Sequence, residues 1–329
     1  MQLSTIKLLL TLTAVVVCCE AAASKYPPHQ SKFMRHRNWK LLPHNQCGET
    51  PILMQSKIVG GNHARVGQFP WMVGLLETER KTKKSTIYCG GTLINDRYVV
   101  TAAHCIIGLP KLYVYCMRVY KQYVVLGEHN QDTDIDCDRY RCSGPARKVR
   151  VQKTVCHPSY SSNYSNLGLH DICLIRLSTR IVKYDEFIRP ICLPTYQMLE
   201  GRSFSGMKME TAGWGWAAPG HPYTKILRVV TVPVISEKEC KRWVYDVVKS
   251  QICAKGDNGK DSCTGDSGGP LMGRVAKPNG IGYFSVLIGI TSFGESKKTR
   301  VGHVLCGDHI GVYVRVSEYI QWILNNIRE

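Results

Sequence analysis

A serine hydroxyl attacks a carbonyl only when a neighbouring base takes its proton, so a nucleophile needs a histidine and an acid to orient it. This chain carries all three in distinctive settings. The stretch Asp261-Ser-Cys-Thr-Gly-Asp-Ser-Gly-Gly-Pro270 sets Ser267 between Asp266 and two glycines, with Asp261 six residues upstream. Thr101-Ala-Ala-His-Cys105 supplies His104, and Asp171-Ile-Cys-Leu-Ile-Arg-Leu177 supplies Asp171. The acid precedes an apolar run, which suits a buried carboxylate at the start of a strand. Taken alone, the histidine reads as structural, the aspartate as a turn residue and the glycines as a tight turn. Together they point to nucleophilic acyl transfer. His104 would serve as general base and then general acid, and Asp171 would fix its tautomer and stabilise the imidazolium.

The elements that must position these groups are short strands. Trp71–Leu76, Tyr98–Thr101, Val149–Val151, Leu227–Val234, Tyr283–Thr291 and Val312–Val316 are rich in Val, Ile and Tyr and are bounded by turns. Such runs predict an all-β architecture with one or more barrels. Only the last segment differs: Ser317 is a candidate cap for a helix with Tyr319, Ile320, Ile323 and Ile327 at helical spacing.

The order His…Asp…Ser separates this chain from other folds that use the same three residues. Further short matches occur in sequence: Lys57-Ile-Val-Gly-Gly61, Gly213-Trp-Gly215, Ser292-Phe-Gly294, Gly311-Val-Tyr313 and Tyr319-Ile-Gln-Trp-Ile323. On these residues the chain resembles the chymotrypsin-like (trypsin-type) serine proteases over 58–329. In style it is similar to the catalytic domains of arthropod clip-domain proteases of haemolymph or venom.

The resemblance implies two six-stranded antiparallel β-barrels with a C-terminal helix, the site lying in the cleft between them. It implies an oxyanion hole made by the N–H groups of Gly265 and Ser267, each such donor being worth roughly 2.7–4 kcal/mol of transition-state stabilisation. It sets Asp261 at the floor of the primary pocket, where a carboxylate selects Arg or Lys, with Ser292, Gly294 and Gly311 lining that pocket. Phe293 stands where the family usually has Trp. It also implies a zymogen switch. Cleavage between Lys57 and Ile58 would free an ammonium that buries itself against Asp266, a pair costly to break once formed.

Three regions follow: a signal peptide (1–23), a basic pro-segment (24–57) and a protease domain (58–329). The first has Lys7, an apolar run of about a dozen residues and Ala21-Ala22-Ala23, too short for a span of roughly twenty residues. A secreted, extracellular protein without a membrane span is expected. The pro-segment is polar and irregular, reads as a linker, and has one cysteine, Cys47, where a clip domain needs six. Fifteen cysteines are present, and thirteen remain once Cys18 and Cys19 leave with the signal. In an oxidising compartment they are expected to pair. The resemblance suggests the bridges Cys89–Cys105, Cys240–Cys253 and Cys263–Cys306, a tether Cys47–Cys192, and Cys137–Cys142 in an acidic loop. Cys156 and Cys173 are either a bridge between neighbouring strands or two buried thiols, and Cys116 is the candidate odd thiol. Met209 and Gly273 replace both halves of a common family bridge.

The net charge is +18, of which the pro-segment carries +5 and the protease domain +13. That excess favours anionic polymers or is simply a solvated basic surface; no nucleic-acid motif accompanies it. No cofactor is required for the predicted chemistry. Asp132, Asp134, Asp136 and Asp138 follow Glu128 in a loop where the family often holds calcium, so Glu128 is a candidate calcium ligand. Asn163-Tyr-Ser165 is a glycosylation sequon. The loop between Cys105 and Gly127 is longer than in simple family members and carries several tyrosines.

The function expected is a zymogen-activated endopeptidase cleaving after Arg or Lys in a limited-proteolysis cascade. Its partners would be protein substrates, an upstream activating protease and a serpin-type inhibitor. The alternative is a catalytically silent homologue acting as a binding module. Such homologues show a replaced triad residue, and none is replaced here.

Overall fold

The computed structural model describes residues 32–50, 62–79, 82–107, 119–161, 168–195, 199, 202–215, 224–244, 246–256, 266–277, 282–294, 297–298, 304–305 and 310–329. A two-residue strand, β1 (Asn62–His63), precedes six strands: β2 (Met72–Glu79), β3 (Ser85–Leu93), β4 (Tyr98–Thr101), β5 (Val119–Leu126), β6 (Arg147–Cys156) and β7 (Cys173–Leu177). They form a closed barrel in the order β2-β3-β4-β7-β6-β5, every pairing antiparallel. Closure removes the unpaired edges that a free sheet would expose.

The second half contributes β8 (Lys208–Gly213), β9 (Arg228–Pro233), β10 (Gln251–Lys255), β11 (Pro270–Ala276) and β12 (Tyr283–Gly294). A small ribbon, β13 (Lys297–Lys298) with β14 (Val304–Leu305), separates these from β15 (Ile310–Arg315). The larger strands run β1-β9-β8-β11-β12-β15-β10, and a bridge from Val234 to Ala254 brings the end of β9 back to β10. Two antiparallel barrel-like sheets of six long strands result, as the resemblance implies. Trp71, fully buried, joins them by donating its indole N–H to Met272 Sδ at 3.1 Å. Buried Met209 lies where a bridge to position 273 would run: a Cβ on Gly273 would be 3.8 Å from Met209 Cε.

Helices are few. α1 (His104–Ile107) follows β4, α2 (Glu237–Cys240) is capped by Ser236, whose hydroxyl accepts the Glu239 N–H at 3.1 Å, and α3 (Ile320–Asn326) ends the chain. Ser317 is not a cap. It lies within a 3-10 turn, Val316–Tyr319, and α3 begins after Tyr319 with no side-chain cap. The turn is dictated by burial: Val316, Tyr319, Ile320, Ile323 and Leu324 all enter the core.

The linker reading of the pro-segment needs a larger correction, because residues 32–50 are built onto the protease domain. Two 3-10 turns, Lys32–Arg35 and Trp39–Leu41, lead Phe33, Trp39, Leu41 and Leu42 against the main core. Buried Asn38 donates its amide to Leu324 O at 2.8 Å and Ile327 O at 3.0 Å. These are carbonyls at the end of α3 that the helix itself leaves unpaired. Cys47 is bonded to Cys192, and Gly48 donates to Pro190 O while accepting from Ser285 N, both at 2.8 Å. Gly48 has φ +67°, and a Cβ there would stand 2.3 Å from Ser285 O, so only glycine fits. Local composition concealed this docking because every one of these partners is remote in sequence.

Candidate active site

Register explains why His104 and Asp171 meet. Thr101, the last residue of β4, pairs with Cys173, the first of β7. The chain leaving β4 and the chain entering β7 therefore share one rim of the barrel, and His104 and Asp171 lie three and two residues beyond that pair. The imidazole Nδ1 donates to Asp171 Oδ2 at 2.7 Å, while the His104 backbone N–H donates to Oδ1 at 2.8 Å. Ser292 adds a third donor, its hydroxyl 2.5 Å from Oδ2. Asp171 is only 2% exposed. Burial alone would raise its pKa. The His104 side chain, the Ser292 hydroxyl and the His104 N–H outweigh that burial and hold the carboxyl below its ordinary range. A carboxylate so held fixes the tautomer in which Nδ1 carries the proton and Nε2 is free to accept one.

Ser267 sits in a turn closed by Gly269 N–H to Asp266 O at 2.9 Å. Its carbonyl accepts the Gly90 N–H at 2.8 Å, tying the candidate nucleophile to β3 of the first barrel. Gly268 N–H donates to Thr291 O, and Thr291 N–H to Gly269 O, so the turn also hangs from β12. The next residue of β12 is Ser292, the donor to Asp171. One strand therefore supports both the serine turn and the acid, and Gly90 links that turn to β4 through Thr101 Oγ1 at 2.8 Å. Gly268 has φ +78°, and a Cβ there would approach Thr101 Oγ1 and Gly90 O to 2.2 and 2.5 Å. The tight turn between Asp266 and Pro270 thus requires glycine.

The structure brings together other residues singled out in the sequence. Gly294 and Gly311 face each other across β12 and β15 as a registered pair, with Phe293 packed partly buried beside them. Asp266 accepts the Gly215 N–H at 2.9 Å, and Cβ atoms at Gly213 or Gly215 would strike its carboxylate at 2.1 and 2.7 Å. Cys89–Cys105, Cys137–Cys142 and Cys240–Cys253 are disulfides, and Cys156–Cys173 is one too, which decides between the two readings of that pair. Lys57, Ile58, Asp261, Cys263, Gly265, Cys306, Cys116 and Asn163 lie outside the described residues, as do residues 108–118 of the long loop after Cys105.

Two features were not anticipated. Ser292, read as a pocket wall, has its hydroxyl committed to Asp171. His157 stacks on His170, ring centroids 4.4 Å apart, and Tyr319 Oη is 3.1 Å from His170 Nδ1. Burial, then the neighbouring His170, lowers the His157 pKa. No spacing rule links positions 157 and 170; the β6–β7 pairing does.

The acidic loop holds Asp136 as a buried hub: its carboxylate accepts the Asn130 N–H at 3.0 Å and the Thr133 hydroxyl at 2.5 Å. Asp138 accepts N–H groups from Tyr140, Arg141 and Val66, which lower its pKa against the opposing effect of burial. Glu128 is pushed up to about 7 by burial first, then by Asp136 and Asp134, with the His129 N–H opposing. Glu128 therefore stands among like charges. Among the described residues the acidic side chains do not converge in a three-carboxylate cluster; Cys89, His104 and Cys105 alone group that closely, and the two cysteines are bonded to each other.

The trypsin family model matches residues 58–323. The chain is 36% identical to phenoloxidase-activating factor 1 of Holotrichia diomphalia over 95% of its own length and 80% of that protein's. It is 35% identical to serine protease ea of Drosophila melanogaster, covering 95% of this chain and 78% of that one. The Drosophila Grass clip serine protease of the Toll pathway superposes with a TM-score of 0.66 at 30% identity, covering 84% of this chain and 73% of that structure. Fold, site and relatives agree that the chain belongs to the trypsin family and is a trypsin-like serine endopeptidase.

Proposed function

We propose that this protein is an exported zymogen which, once cut between Lys57 and Ile58, cleaves protein substrates after Arg or Lys within a proteolytic cascade. The observation that carries the reading is the network His104–Asp171–Ser292, joined through Thr291 to the turn bearing Ser267. Ser267 is the nucleophile, His104 the base and then the acid, and Asp171 the group that fixes the tautomer. Gly265 and Ser267 N–H groups stabilise the oxyanion, and Asp261 selects the basic side chain between Gly294 and Gly311. The freed Ile58 ammonium pairs with Asp266, whose carboxylate is already cradled by Gly213 and Gly215.

The cascade reading is supported by the names of the relatives, which describe a phenoloxidase-activating factor and a Toll-pathway protease. A docked pro-segment, disulfide-bonded at Cys47, supports a regulated two-chain enzyme over one that discards its activation peptide. An upstream protease, a serpin-type inhibitor and anionic polymers are the proposed partners. Calcium at Glu128 and glycosylation at Asn163 are proposed modifiers of stability rather than of chemistry. Export agrees with the paired cysteines, and among the described residues no helix is long and apolar enough to cross a membrane.

A serine-directed phosphonate bearing an arginine-like side chain tests the assignment. Labelling of Ser267 only after the cut, and not in Ser267→Ala, is the expected result. An unlabelled but correctly cut protein would favour the silent homologue.

A further inference from the structure

We propose that the outer face of β6 is a binding track for a linear sulfated polysaccharide of the glycosaminoglycan type. This deepens the anionic-partner part of the functional proposal. The sequence Arg147-Lys-Val-Arg-Val-Gln-Lys153 places four cations in seven residues. Val149 and Val151 pack against the first-barrel core, so strand alternation turns Lys148, Arg150 and Gln152 outward. A register shift between Val151 and Lys153 turns Lys153 out as well; Arg147, on the Val149 side, is exposed because it opens the strand, so all four cations reach solvent. At about 3.3 Å per residue the track is about 20 Å long.

Arg147, Lys148, Arg150 and Lys153 make no ion pair among the described residues, whereas cations elsewhere pair repeatedly, as in Arg141–Glu186, Arg189–Glu49 and Arg274–Glu210. Two further guanidiniums converge on the track. Arg176 Nε and Arg97 Nη2 both donate to Gln152 Oε1, at 2.8 and 3.4 Å, so they share one neutral amide oxygen where a carboxylate would be the usual partner. Arg97 Nε is buried without a hydrogen-bond partner among the described residues. Arg176 is the better compensated of the two: it also donates to Tyr98 Oη at 3.0 Å and to a backbone carboxylate oxygen of Glu329, the last residue, so the track's uncompensated charge rests on β6 itself and Arg97. Lys148 Nζ lies 4.7 Å above the Tyr123 ring and 3.3 Å from Ser85 Oγ.

The shape of the face selects the ligand class. β6 is hydrogen-bonded on both sides within a closed barrel, so it cannot take an added strand. A protein partner would need buried aromatic or apolar anchors, and Tyr123 is covered by an ammonium. Single-stranded nucleic acid would need aromatic platforms for its bases, which the row of cations does not offer. What remains is a row of point charges and guanidinium forks, matched by closely spaced sulfates on an extended polymer. None of the six cations bonds His104, Asp171 or Ser267, so polymer binding leaves the cleft free.

The test uses the full chain with Ser267→Ala, so that binding is read independently of catalysis. A heparin dodecasaccharide is titrated over a range of NaCl concentrations. The track variant carries Lys148→Glu, Arg150→Glu and Lys153→Glu; the control carries Arg202→Glu, Lys208→Glu and Lys238→Glu, with the same change in charge. Four charge contacts predict a slope of log K against log salt of about −3, by the roughly −0.7 per contact of single-stranded polyanions. The track variant should lose about 2 of that slope and bind at least 30-fold more weakly at physiological salt, as expected when about three of four contacts are lost. The control should change less than about threefold, because its charges act only at long range. Arg150→Gln alone should weaken binding severalfold, which keeps the test alive if the triple variant fails to fold. Equal loss in track and control variants, no saturable binding by the parent, or preferential binding of poly-Glu or poly-dT at these residues would overturn the proposal. A protein that hydrolyses basic peptides without binding heparin sinks this inference alone; the reverse sinks the protease reading alone.

Discussion

Asn38 offers a quantitative test of the docked pro-segment. Its amide gives both hydrogens to α3, to Leu324 O at 2.8 Å and Ile327 O at 3.0 Å, from a position 8% exposed. Asn38→Ala removes two hydrogen bonds and strands the Leu324 carbonyl, while Ile327 O keeps the Arg328 Nη1 donor at 2.7 Å. At about 1 kcal/mol per bond, plus part of the desolvation penalty of the orphaned carbonyl, the cost is about 2–3 kcal/mol. For a domain of this size each kcal/mol moves Tm by about 2–4 °C, so a fall of roughly 4–12 °C is expected. Asn38→Asp keeps the shape but loses both donors and sets a negative charge against the negative end of a helix, so it should cost more. Thermal unfolding by circular dichroism, on cut and uncut protein, reads both. The cut variants should still hydrolyse a small basic ester at 25 °C within about twofold of the parent, since destabilisation of this size leaves most molecules folded. A shift below about 1 °C for both variants would refute the account, because the two Asn38 hydrogen bonds would then contribute nothing measurable to holding the pro-segment on α3.

Glu128, with its pKa raised to about 7, stabilises the fold at low pH, fully below its unfolded value near 4.5, and that contribution is lost as pH rises through 7. With discounting for its partial exposure the effect is about 1–2 kcal/mol. Glu128→Gln should flatten the Tm profile between those pH values, and calcium should raise Tm at pH 7.5 in the parent but not in the variant; an unchanged profile would rule out the buried-carboxylate reading. Asp171 has the opposite sign. Its pKa is depressed, so its contribution is present above its unfolded value of 3.8 and is lost as pH falls through the folded one. Ser292→Ala removes a donor that lowers that pKa, so the acid-unfolding midpoint should move to higher pH and kcat should fall about tenfold, for a charged hydrogen bond of about 1.5 kcal/mol. Gly215→Ala, whose Cβ would sit 2.7 Å from three atoms of the Asp266 carboxyl group, should be cut normally at Lys57 yet show little hydrolysis, as followed by gel and chromogenic assay. Full activity would mean that Asp266 can move without cost.

The candidate site was legible because acyl transfer demands particular residue types in stereotyped surroundings, and the pairing of β4 with β7 then brings His104 and Asp171 together. Strand centres were legible as well. Tyr98–Thr101 spans β4 as expected, while Val149–Val151 proved to be the inward-packing middle of the longer β6. Its flanking Arg, Lys, Gln and Thr residues look like loop in a one-dimensional reading, but neighbouring strands on both sides supply their hydrogen bonds. The expected strand Tyr283–Thr291 stopped one residue short of Ser292, which was read as pocket lining, because the direction of a hydroxyl depends on a partner 121 positions away. Asn38 and Gly48 escaped notice for the same reason: a polar segment without periodicity docks through contacts to α3 and β12 that no local pattern encodes. Ser317 failed as a cap because Val316 and Tyr319 gain more from burial in a tight turn than a hydroxyl gains at a helix end.

The central claim is a basic-specific serine protease switched on by one cut. Hydrolysis of matched chromogenic peptides ending in Arg, Lys or Phe, before and after cleavage at Lys57–Ile58, addresses it most directly, with Ser267→Ala as the control. Activity on Arg and Lys that appears only after the cut, spares Phe and vanishes in Ser267→Ala is the predicted result. Cleavage of Phe peptides, activity in the uncut chain, or hydrolysis that survives Ser267→Ala would contradict it.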